Sequence, residues 1–413
     1  MAFHLQISQF ICTALFLSAV VVRAETLEQI TAEALRNNPE LRVLEQSVAG
    51  AKGAVTTART YSNPELTVAP GVKRVRESGN SKSEFHGVFE LSQLFKFPGK
   101  RALEIAVARR GVRSREIALQ ALRFQLAGQV RRNFYESLAA KKSLEVRREQ
   151  VDSAKAFAAS AQKRVESGFA GDFETIKSQA DLIEARKAQG EAEGRLATAR
   201  VALNTLLGRS PAAPLEISGS LENVAPRGSL PDFTALALAR NPALLAQTAE
   251  AEKAGLNLRL SRFGNRPDFA VGPSVEYTES EQIYGLSATI ALPFWDRKRG
   301  ELETATAEQR RVLAELEKLR FEIRGEVVNA AQKLQLAKDQ LALYSPEFLD
   351  RLKGFVRQAE QSYAQSATTL IIYLDAKRTY FDTLTDYYEA LGNVAQSRAE
   401  LESAIGVPLE LTP

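Results

Sequence analysis

The feature that most constrains this fold is an internal duplication, in which similar stretches of sequence lie 203 positions apart. Residues 37–41 read NNPEL, and residues 240–244 read RNPAL. Each proline fixes φ and removes a backbone donor, so three prolines in the same register predict two units of one fold. The positions that agree are Thr31, Ala32, Ala34, Leu35, Asn38, Pro39, Leu41, Arg59, Pro64, Val68 and Pro70, which recur as Thr234, Ala235, Ala237, Leu238, Asn241, Pro242, Leu244, Arg262, Pro267, Val271 and Pro273.

Each half is predicted to open with a helix, at about residues 26–60 and 231–262, and to continue into a β-hairpin. Apolar and polar residues alternate in the first strand of each hairpin, and a polar loop joins it to a second strand, as expected of strands with one apolar face. We place the hairpins at residues 64–94 and 267–293. The prolines within them predict imperfect strand pairing, because proline cannot donate to the ladder.

A long helical hairpin is predicted after each β-hairpin. No proline occurs between Pro98 and Pro211, and a helix over residues 99–167 would be roughly 100 Å long. The predicted turns are residues 167–172 (SGFAGD) and 365–370 (QSATTL), and Pro346 predicts a kink or bulge in the second half. A coiled-coil seam with steps of three and four is formed by Val312, Leu316, Leu319, Ile323, Val327, Ala330, Leu334, Ala337, Leu341 and Tyr344.

These patterns divide the chain into five segments. Residues 1–24 resemble a secretory signal peptide, with a buried N-terminal helix as the alternative. The first repeat spans 25–208, a Pro/Gly/Ser-rich connector spans 209–230, and the second repeat spans 231–406. Residues 407–413 form a C-terminal tail.

Composition argues against several classes of function. The formal net charge of +4 is spread along the helices, so nucleic-acid binding is not expected. The only cysteine, Cys12, lies in the predicted signal peptide, and His86 is the one histidine after it. No catalytic constellation, metal site or cofactor site is predicted, so the chain is not expected to be an enzyme. His86 is either a metal contact or, as we favour, a solvated or lumen-facing side chain.

Four strands of about ten residues could cross a bilayer but cannot close into a barrel, since the smallest membrane barrels need about eight. An open sheet in lipid would leave its edges unpaired. The sequence therefore predicts that several copies each donate four strands around a wet lumen. Phe294 and Trp295, where the last strand turns to helix, are either interfacial aromatics or ordinary junction packing.

The repeated units, the NP…L motifs and the turns at residues 167–182 and 366–381 resemble the TolC-type outer-membrane efflux proteins. The resemblance covers essentially the whole chain after the signal peptide. It implies a mainly α protein with membrane β-structure: a homotrimer with a twelve-stranded β-barrel in the outer membrane of a Gram-negative bacterium, continued by an α-helical barrel in the periplasm. The FPGKR turn (residues 97–101) looks most like the cation-efflux branch, associated with heavy-metal resistance.

The resemblance also implies a function. The family forms passive exit ducts that dock, through the tips of the helical hairpins, to a periplasmic adaptor and an inner-membrane pump, with outer-membrane lipid around the barrel. A periplasmic coiled-coil adaptor or scaffold is the alternative reading. The duplicated alternating hairpins argue against it, since an adaptor needs no lipid-facing strands.

Candidate functional residues follow from the matching motifs. The docking tips are Gly168, Phe169, Gly171, Ala367 and Thr369, and both glycines are expected to permit the tight reversal. The pore and gate residues are Tyr363, Thr368, Ile372 and Asp375. Thr368 and Ile372 replace an arginine and a carboxylate of some relatives, so fewer ionic links would close the tip. Asp375 either faces the pore or pairs locally with Lys377 or Arg378.

Two further groups leave alternatives open. The basic residues at the strand-to-helix junctions are either lipid-headgroup contacts or solvated helix starts. The aromatic residues Tyr380, Phe381, Tyr387 and Tyr388 are predicted to be packing rather than a ligand site. The basic residues are Lys96, Lys100, Arg101, Arg297, Lys298 and Arg299.

Overall fold

A computed structural model describes residues 24–77, 80–168, 171–221 and 229–409. Almost all of the predicted signal peptide and part of the connector and tail therefore lie outside the described residues. The protein is mainly helical, with one four-stranded sheet. In chain order the elements are α1 (Leu27–Asn37), α2 (Pro39–Arg59), β1 (Glu65–Glu77), β2 (Asn80–Phe95), α3 (Lys100–Glu166), α4 (Asp172–Leu207), α5 (Leu230–Arg240), α6 (Pro242–Arg262), β3 (Phe269–Thr278), β4 (Gln282–Ile290), α7 (Arg299–Ala342), α8 (Pro346–Ala364) and α9 (Leu370–Ile405).

The prediction of a single opening helix in each half is wrong, because each Asn-Pro pair separates two helices. The residue before a proline is pushed out of the helical region, and Asn38 has φ −61° and ψ 125°. Its side chain caps the next helix by accepting from the Glu40 amide at 2.9 Å. Asn241 repeats this cap, accepting from the Ala243 amide at 2.9 Å.

The repeated asparagines also tie distant helices together. The Asn38 side-chain amide donates to the Leu206 carbonyl of α4 at 3.1 Å, and that of Asn241 donates to the Ala404 carbonyl of α9 at 3.0 Å. Both asparagines are buried. The NNPEL and RNPAL motifs therefore recur because each one stops a helix, starts the next and holds the end of the returning long helix.

The four strands form one antiparallel sheet in the order β1-β2-β3-β4. Cross-strand partners such as Val68 with Phe89 and Val275 with Tyr284 keep apolar residues on a single face. The opposite face carries most of the sheet's polar side chains. The large apolar residues that the first face exposes to solvent are Leu66, Val68, Val72, Phe85, Phe89, Leu91, Val271, Tyr277, Tyr284, Leu286 and Ile290.

The two duplicated strand prolines have different effects on pairing. The β2–β3 ladder is interrupted between the Glu90–Ser274 and Gln93–Val271 pairs, opposite Gly272 and Pro273. Imperfect pairing is thus confirmed for β3. Pro70 lies in the edge strand β1, where the register continues past it.

The long helices match their predicted positions. Helix α3 has 67 residues, which corresponds to roughly 100 Å. Instead of a kink or bulge at Pro346, α7 ends at Ala342 and α8 begins at the proline, with Ser345 accepting from the Phe348 amide at 3.2 Å. Seven residues of the predicted seam are buried in α7: Val312, Leu316, Ile323, Val327, Ala330, Leu334 and Ala337.

Two apolar cores form at corresponding places in the halves. The first packs α1 and α2 on α3 and α4, around Phe134 and Leu207. The second packs α5 and α6 on α7 and α9, around Val327 and Ile405. Helix α3 also contacts α6 and α9, so the halves share one body. Within the described ranges, no helix is long and apolar enough to cross a membrane.

Candidate functional site

The first tip joins α3 to α4, which together are called the first hairpin below. Gly168 has φ +76°, a backbone conformation that side chains disfavour, and its amide donates to the Val165 carbonyl at 2.9 Å. Gly171 has φ −89° and ψ 162°, which any residue adopts, so the expectation that the turn needs glycine there is wrong. Phe169 lies outside the described residues.

The second tip joins α8 to α9, called the second hairpin. Ser366 takes the left-handed conformation, φ +55°, that glycine takes in the first tip. The Ala367 amide donates to the Ser362 carbonyl at 2.7 Å, and the Thr369 hydroxyl caps α9 by accepting from the Ile372 amide at 3.5 Å. No glycine marks this turn, so its left-handed residue could not be predicted from the sequence.

Asp375 and Ile372 lie exposed on α9 just after this turn, and Thr368 is half-buried within it. In the part of the chain that the structure describes, Asp375 forms no ion pair. Arg378 instead pairs with Asp382 at 3.8 Å, and Lys377 is buried. The local pairing considered for Asp375 is therefore not made, and its carboxylate stays open to solvent.

Tyr363 packs within a cluster of aromatic rings between the two hairpins. Its ring is parallel to that of Tyr373, with centroids 5.3 Å apart, and the Phe157 ring lies edge-on at 5.8 Å. The Arg164 guanidinium lies 5.0 Å from the Tyr363 ring centroid. The sequence reasoning missed Phe157 and Tyr373, since no local pattern indicates that residues so far apart in the chain meet.

Lys377 belongs to the same cluster. Its Nζ atom lies 5.3 Å from the Tyr373 ring centroid and 5.6 Å from that of Phe157. Burial lowers the pKa of Lys377, although the nearby Asp181 and Glu360 carboxylates oppose this effect. Burial also raises the pKa of Asp181, against the influence of Lys377.

At the strand-to-helix junctions, Phe294 and Trp295 are strongly exposed, with Trp295 94% accessible. Their ring centroids lie 6.1 Å apart. Several of the neighbouring basic side chains have intramolecular partners. Lys100 binds Asp268 at 2.9 Å, and Lys298 binds Asp296 and Glu301 at 3.0 and 2.9 Å. Lys96 pairs with Glu104, and Arg101 stacks on the Tyr61 ring at 3.6 Å.

The polar face of the sheet holds the single histidine of the described ranges. His86 Nδ1 lies 3.6 Å from a Glu276 carboxylate oxygen on the neighbouring strand. Glu84 is buried on the same face and accepts from the Ser280 hydroxyl at 3.1 Å. Among the described residues, no three His, Cys, Asp or Glu side chains are grouped so as to hold a metal ion.

The aromatic residues of α9 pack mainly against each other. Tyr380 and Phe381 have ring centroids 5.2 Å apart, and Tyr387 and Tyr388 have theirs 5.4 Å apart. Phe381 is buried, and Tyr344 of the predicted seam lies 6.3 Å from Tyr387. These contacts support packing, as predicted.

Comparison with known proteins identifies the family. Residues 30–209 and 234–407 match the model of the family described as outer membrane efflux protein. The chain belongs to this family. The two matched segments each contain a pair of short helices, two strands and the long helices that follow. The protein is therefore an outer-membrane exit channel of an efflux system.

Two similar proteins are named for metal resistance. The cobalt-zinc-cadmium resistance protein CzcC of Cupriavidus metallidurans is 24% identical over 92% of this chain and 90% of its own length. The nickel-cobalt-cadmium resistance protein NccC of Alcaligenes xylosoxydans is 24% identical over 73% of this chain and 67% of its own. The crystal structure of CusC has the same fold, with a TM-score of 0.74, 19% identity and 92% of each chain covered.

Proposed function

We propose that three copies of the chain assemble into an exit duct that conducts metal cations through the outer membrane. Two repeats, residues 25–208 and 231–406, joined by the connector 209–230, would form each copy. The metal cargo is suggested by the names of the two resistance proteins. No resident metal site is required, because a passive duct need not bind what it conducts.

The observation that carries the proposal is the open, two-faced sheet. Strands β1 and β4 each have one unpaired edge, and hydrocarbon cannot satisfy unpaired backbone groups. The exposed apolar face suits lipid, and the polar face suits a water-filled lumen. Pairing β4 of one copy with β1 of the next satisfies both edges, and three copies supply twelve strands.

A second seam on α4 supports association of the helices. One side of this helix packs on α3 through residues such as Ala185, Leu196 and Leu203. Another set of positions repeats in alternating steps of three and four, is apolar or small apart from one lysine, and is wholly exposed. Such a seam is typical of a helix with a second coiled-coil partner. Its members are Phe173, Ile176, Ala180, Ile183, Lys187, Gly190, Gly194, Ala197 and Val201.

The residues near the tips are assigned accordingly. Asp375 would form a ring of three carboxylates around the pore, beside Ile372 and Thr368. Tyr363 would act in closure through its stack between the hairpins. Gly168, Phe169, Gly171, Ala367 and Thr369 would meet a periplasmic adaptor, which in turn contacts an inner-membrane pump. Phe294 and Trp295 would lie at the periplasmic edge of the lipid.

The proposal is tested by placing one charge on each face of edge strand β4. Leu286 is 83% exposed on the apolar face, and Thr289 is exposed on the polar face. We expect Leu286→Arg to destabilise the membrane-inserted trimer by about 2–4 kcal/mol, the cost of arginine near the bilayer midplane. Thr289→Arg should destabilise the trimer much less, because the arginine would face the water-filled lumen.

Trimer content in mild detergent, measured by native mass spectrometry, and resistance to heat in gel electrophoresis report the outcome. A monomeric parent protein, or equal effects of the two substitutions, would contradict the proposal.

A further inference from the structure

The Lys377 ammonium is buried between the two hairpins without a hydrogen-bond partner. The residue is 6% exposed, and no acceptor in the described part of the chain lies within hydrogen-bond distance of Nζ. The aromatic rings of Phe157 and Tyr373 are its nearest cation-binding surfaces, at 5.6 and 5.3 Å. Such contacts offset only part of the cost of removing an ammonium from water.

Each helix around Lys377 contributes a charged or titratable group. Helix α4 presents Asp181 and α8 presents Glu360, yet neither carboxylate forms an ion pair with Nζ. Tyr373 precedes Lys377 by one turn of α9. On the far side of the ring stack, Arg164 of α3 lies over Tyr363 of α8 and pairs with Glu174 of α4 at 3.6 Å.

This cluster joins the first hairpin to the second close to both tips. Phe157 and Asp181 belong to the first hairpin, and Tyr363, Tyr373 and Lys377 belong to the second. If the hairpins separate, water reaches Nζ and hydrates the charge. Separation is therefore favoured when Lys377 is protonated and disfavoured when it is neutral, because an unpaired buried charge is costly.

We propose that protonation of Lys377 loosens the packing between the two hairpins, so that the periplasmic end of the molecule opens more readily at lower pH. The link to opening of a duct rests on the proposed function, whereas the change in hairpin packing does not. The negative charges of Asp181 and Glu360 stabilise the buried ammonium and therefore oppose the loosening.

The sign of the pH dependence follows from burial. Burial lowers the pKa of Lys377 in the packed arrangement, while a hydrated lysine keeps its ordinary pKa. The packed arrangement therefore keeps its full stability above the ordinary lysine pKa, loses stability as pH falls from that pKa to the lowered one, and loses no more below it.

The distance between the hairpins can be measured with nitroxide labels at exposed positions 160 and 361, introduced as Ser160→Cys on α3 and Gln361→Cys on α8. The only natural cysteine, Cys12, lies in the predicted signal peptide. Pulsed electron paramagnetic resonance over a series from alkaline to mildly acidic pH should show a growing long-distance population. Singly labelled proteins record the distances between copies.

Three substitutions distinguish Lys377 from other titrating groups. Lys377→Met should abolish the pH response and keep the short distance throughout. Lys163→Met, an exposed lysine on α3, should leave the response unchanged. Asp181→Asn removes a charge that stabilises the ammonium in the packed arrangement, so the hairpins should separate at a pH higher by about one pH unit. A pH response that persists in Lys377→Met, or an Asp181→Asn transition that does not move, overturns the proposal.

Conductance in planar bilayers separates this inference from the proposed function. If the chain is a duct, the parent should conduct more at mildly acidic pH, and Lys377→Met should not show the increase. A pH-dependent distance in a protein that never conducts would uphold the switch and reject the duct. A parent protein that conducts but keeps a fixed hairpin distance would uphold the duct and reject the switch.

Discussion

Two asparagines, Asn38 and Asn241, each stand before a proline that separates two helices. The side chain of each one accepts from an amide at the start of the next helix and donates to a carbonyl at the end of a distant helix. The first of these roles is local and can be read from the sequence. The second depends on packing and cannot.

The left-handed backbone at Gly406 predicts a loss of stability on substitution. It has φ +86°, and an added Cβ would lie 2.6 Å from Pro242 Cδ and 2.8 Å from Asn241 Cα. We expect Gly406→Ala to lower the free energy of unfolding by about 1–3 kcal/mol through backbone strain, with the collision adding to it. Gly50→Ala, in open space within α2, should instead stabilise by about 0.5–1 kcal/mol.

Chemical denaturation of both variants measures the difference. Equal effects would mean that Gly406 does not need its left-handed conformation.

Asp375 gives a prediction about conduction. Its carboxylate is exposed and forms no ion pair in the described part of the chain, so in the proposed trimer three such carboxylates around one axis should favour cations. We expect Asp375→Ala to lower the cation-to-anion permeability ratio roughly fivefold, the effect of about 1 kcal/mol. Block by multivalent cations should weaken, and Tyr363→Ala should raise conductance.

Reversal potentials in planar bilayers report the ratio. Asp350→Asn, an exposed carboxylate on α8, is the control. A pore that selects equally well without the Asp375 carboxylate has its selective constriction elsewhere.

At the scale of elements, periodicity carried most of the information. The alternation of the hairpins and the steps of three and four in α7 were sufficient to predict type and extent, because each reflects burial of one face. The aromatic and lysine cluster between the hairpins was not predictable. Phe157 meets Tyr363 and Tyr373 only because two long helical hairpins lie side by side, and no single helix records its neighbour.

The contact between α3 and α6 should become less stable in acid. Burial would raise the pKa of Glu250, but hydrogen bonds from the Ser114 hydroxyl at 2.5 Å and from Lys253 at 3.1 Å outweigh it, and the pKa is lowered. A carboxyl whose pKa is lower in the folded state contributes stability above its unfolded pKa. That contribution is lost as pH falls through the lowered pKa.

Glu250→Gln should therefore cost about 1 kcal/mol near neutral pH and flatten the loss of stability in acid. Urea midpoints across a pH series measure both effects. Glu252→Gln on the same helix removes a surface ion pair to Arg110 and serves as the control. If both variants lose stability in acid as steeply as the parent, Glu250 is not the responsible group.

At the scale of the whole molecule, the resemblance predicted the family, which the family model confirms, and the four unclosable strands predicted several copies. The number three rests on the resemblance alone. The reason is physical, because one copy contains the faces and edges of an assembly but not the angle between copies. The lengths of the long helices were enough to predict where the tips lie, because the helical segment after each β-hairpin starts beside the sheet and ends at a tip.

The tips predict where a partner binds. Cysteines introduced by Ser167→Cys and Ala367→Cys should crosslink to the periplasmic adaptor in cells, because both positions are exposed at the hairpin turns. Ser81→Cys, exposed beside the β1–β2 turn at the other end of the molecule, should not. Immunoblotting of crosslinked membranes reports the result. Crosslinks from position 81 alone would reject docking through the tips.

The free edges of β1 and β4 have a consequence for growth of the assembly. Joining one edge to the other is a head-to-tail contact, which leaves the same two edges free at the ends of every open assembly. The edges themselves do not limit how many copies add, and only curvature ends the process by bringing the first copy to the last. Pairing of the strand edges holds neighbouring copies together but does not fix their number. The number of copies in the proposed ring must therefore be set by the angle at which the helices of neighbouring copies meet.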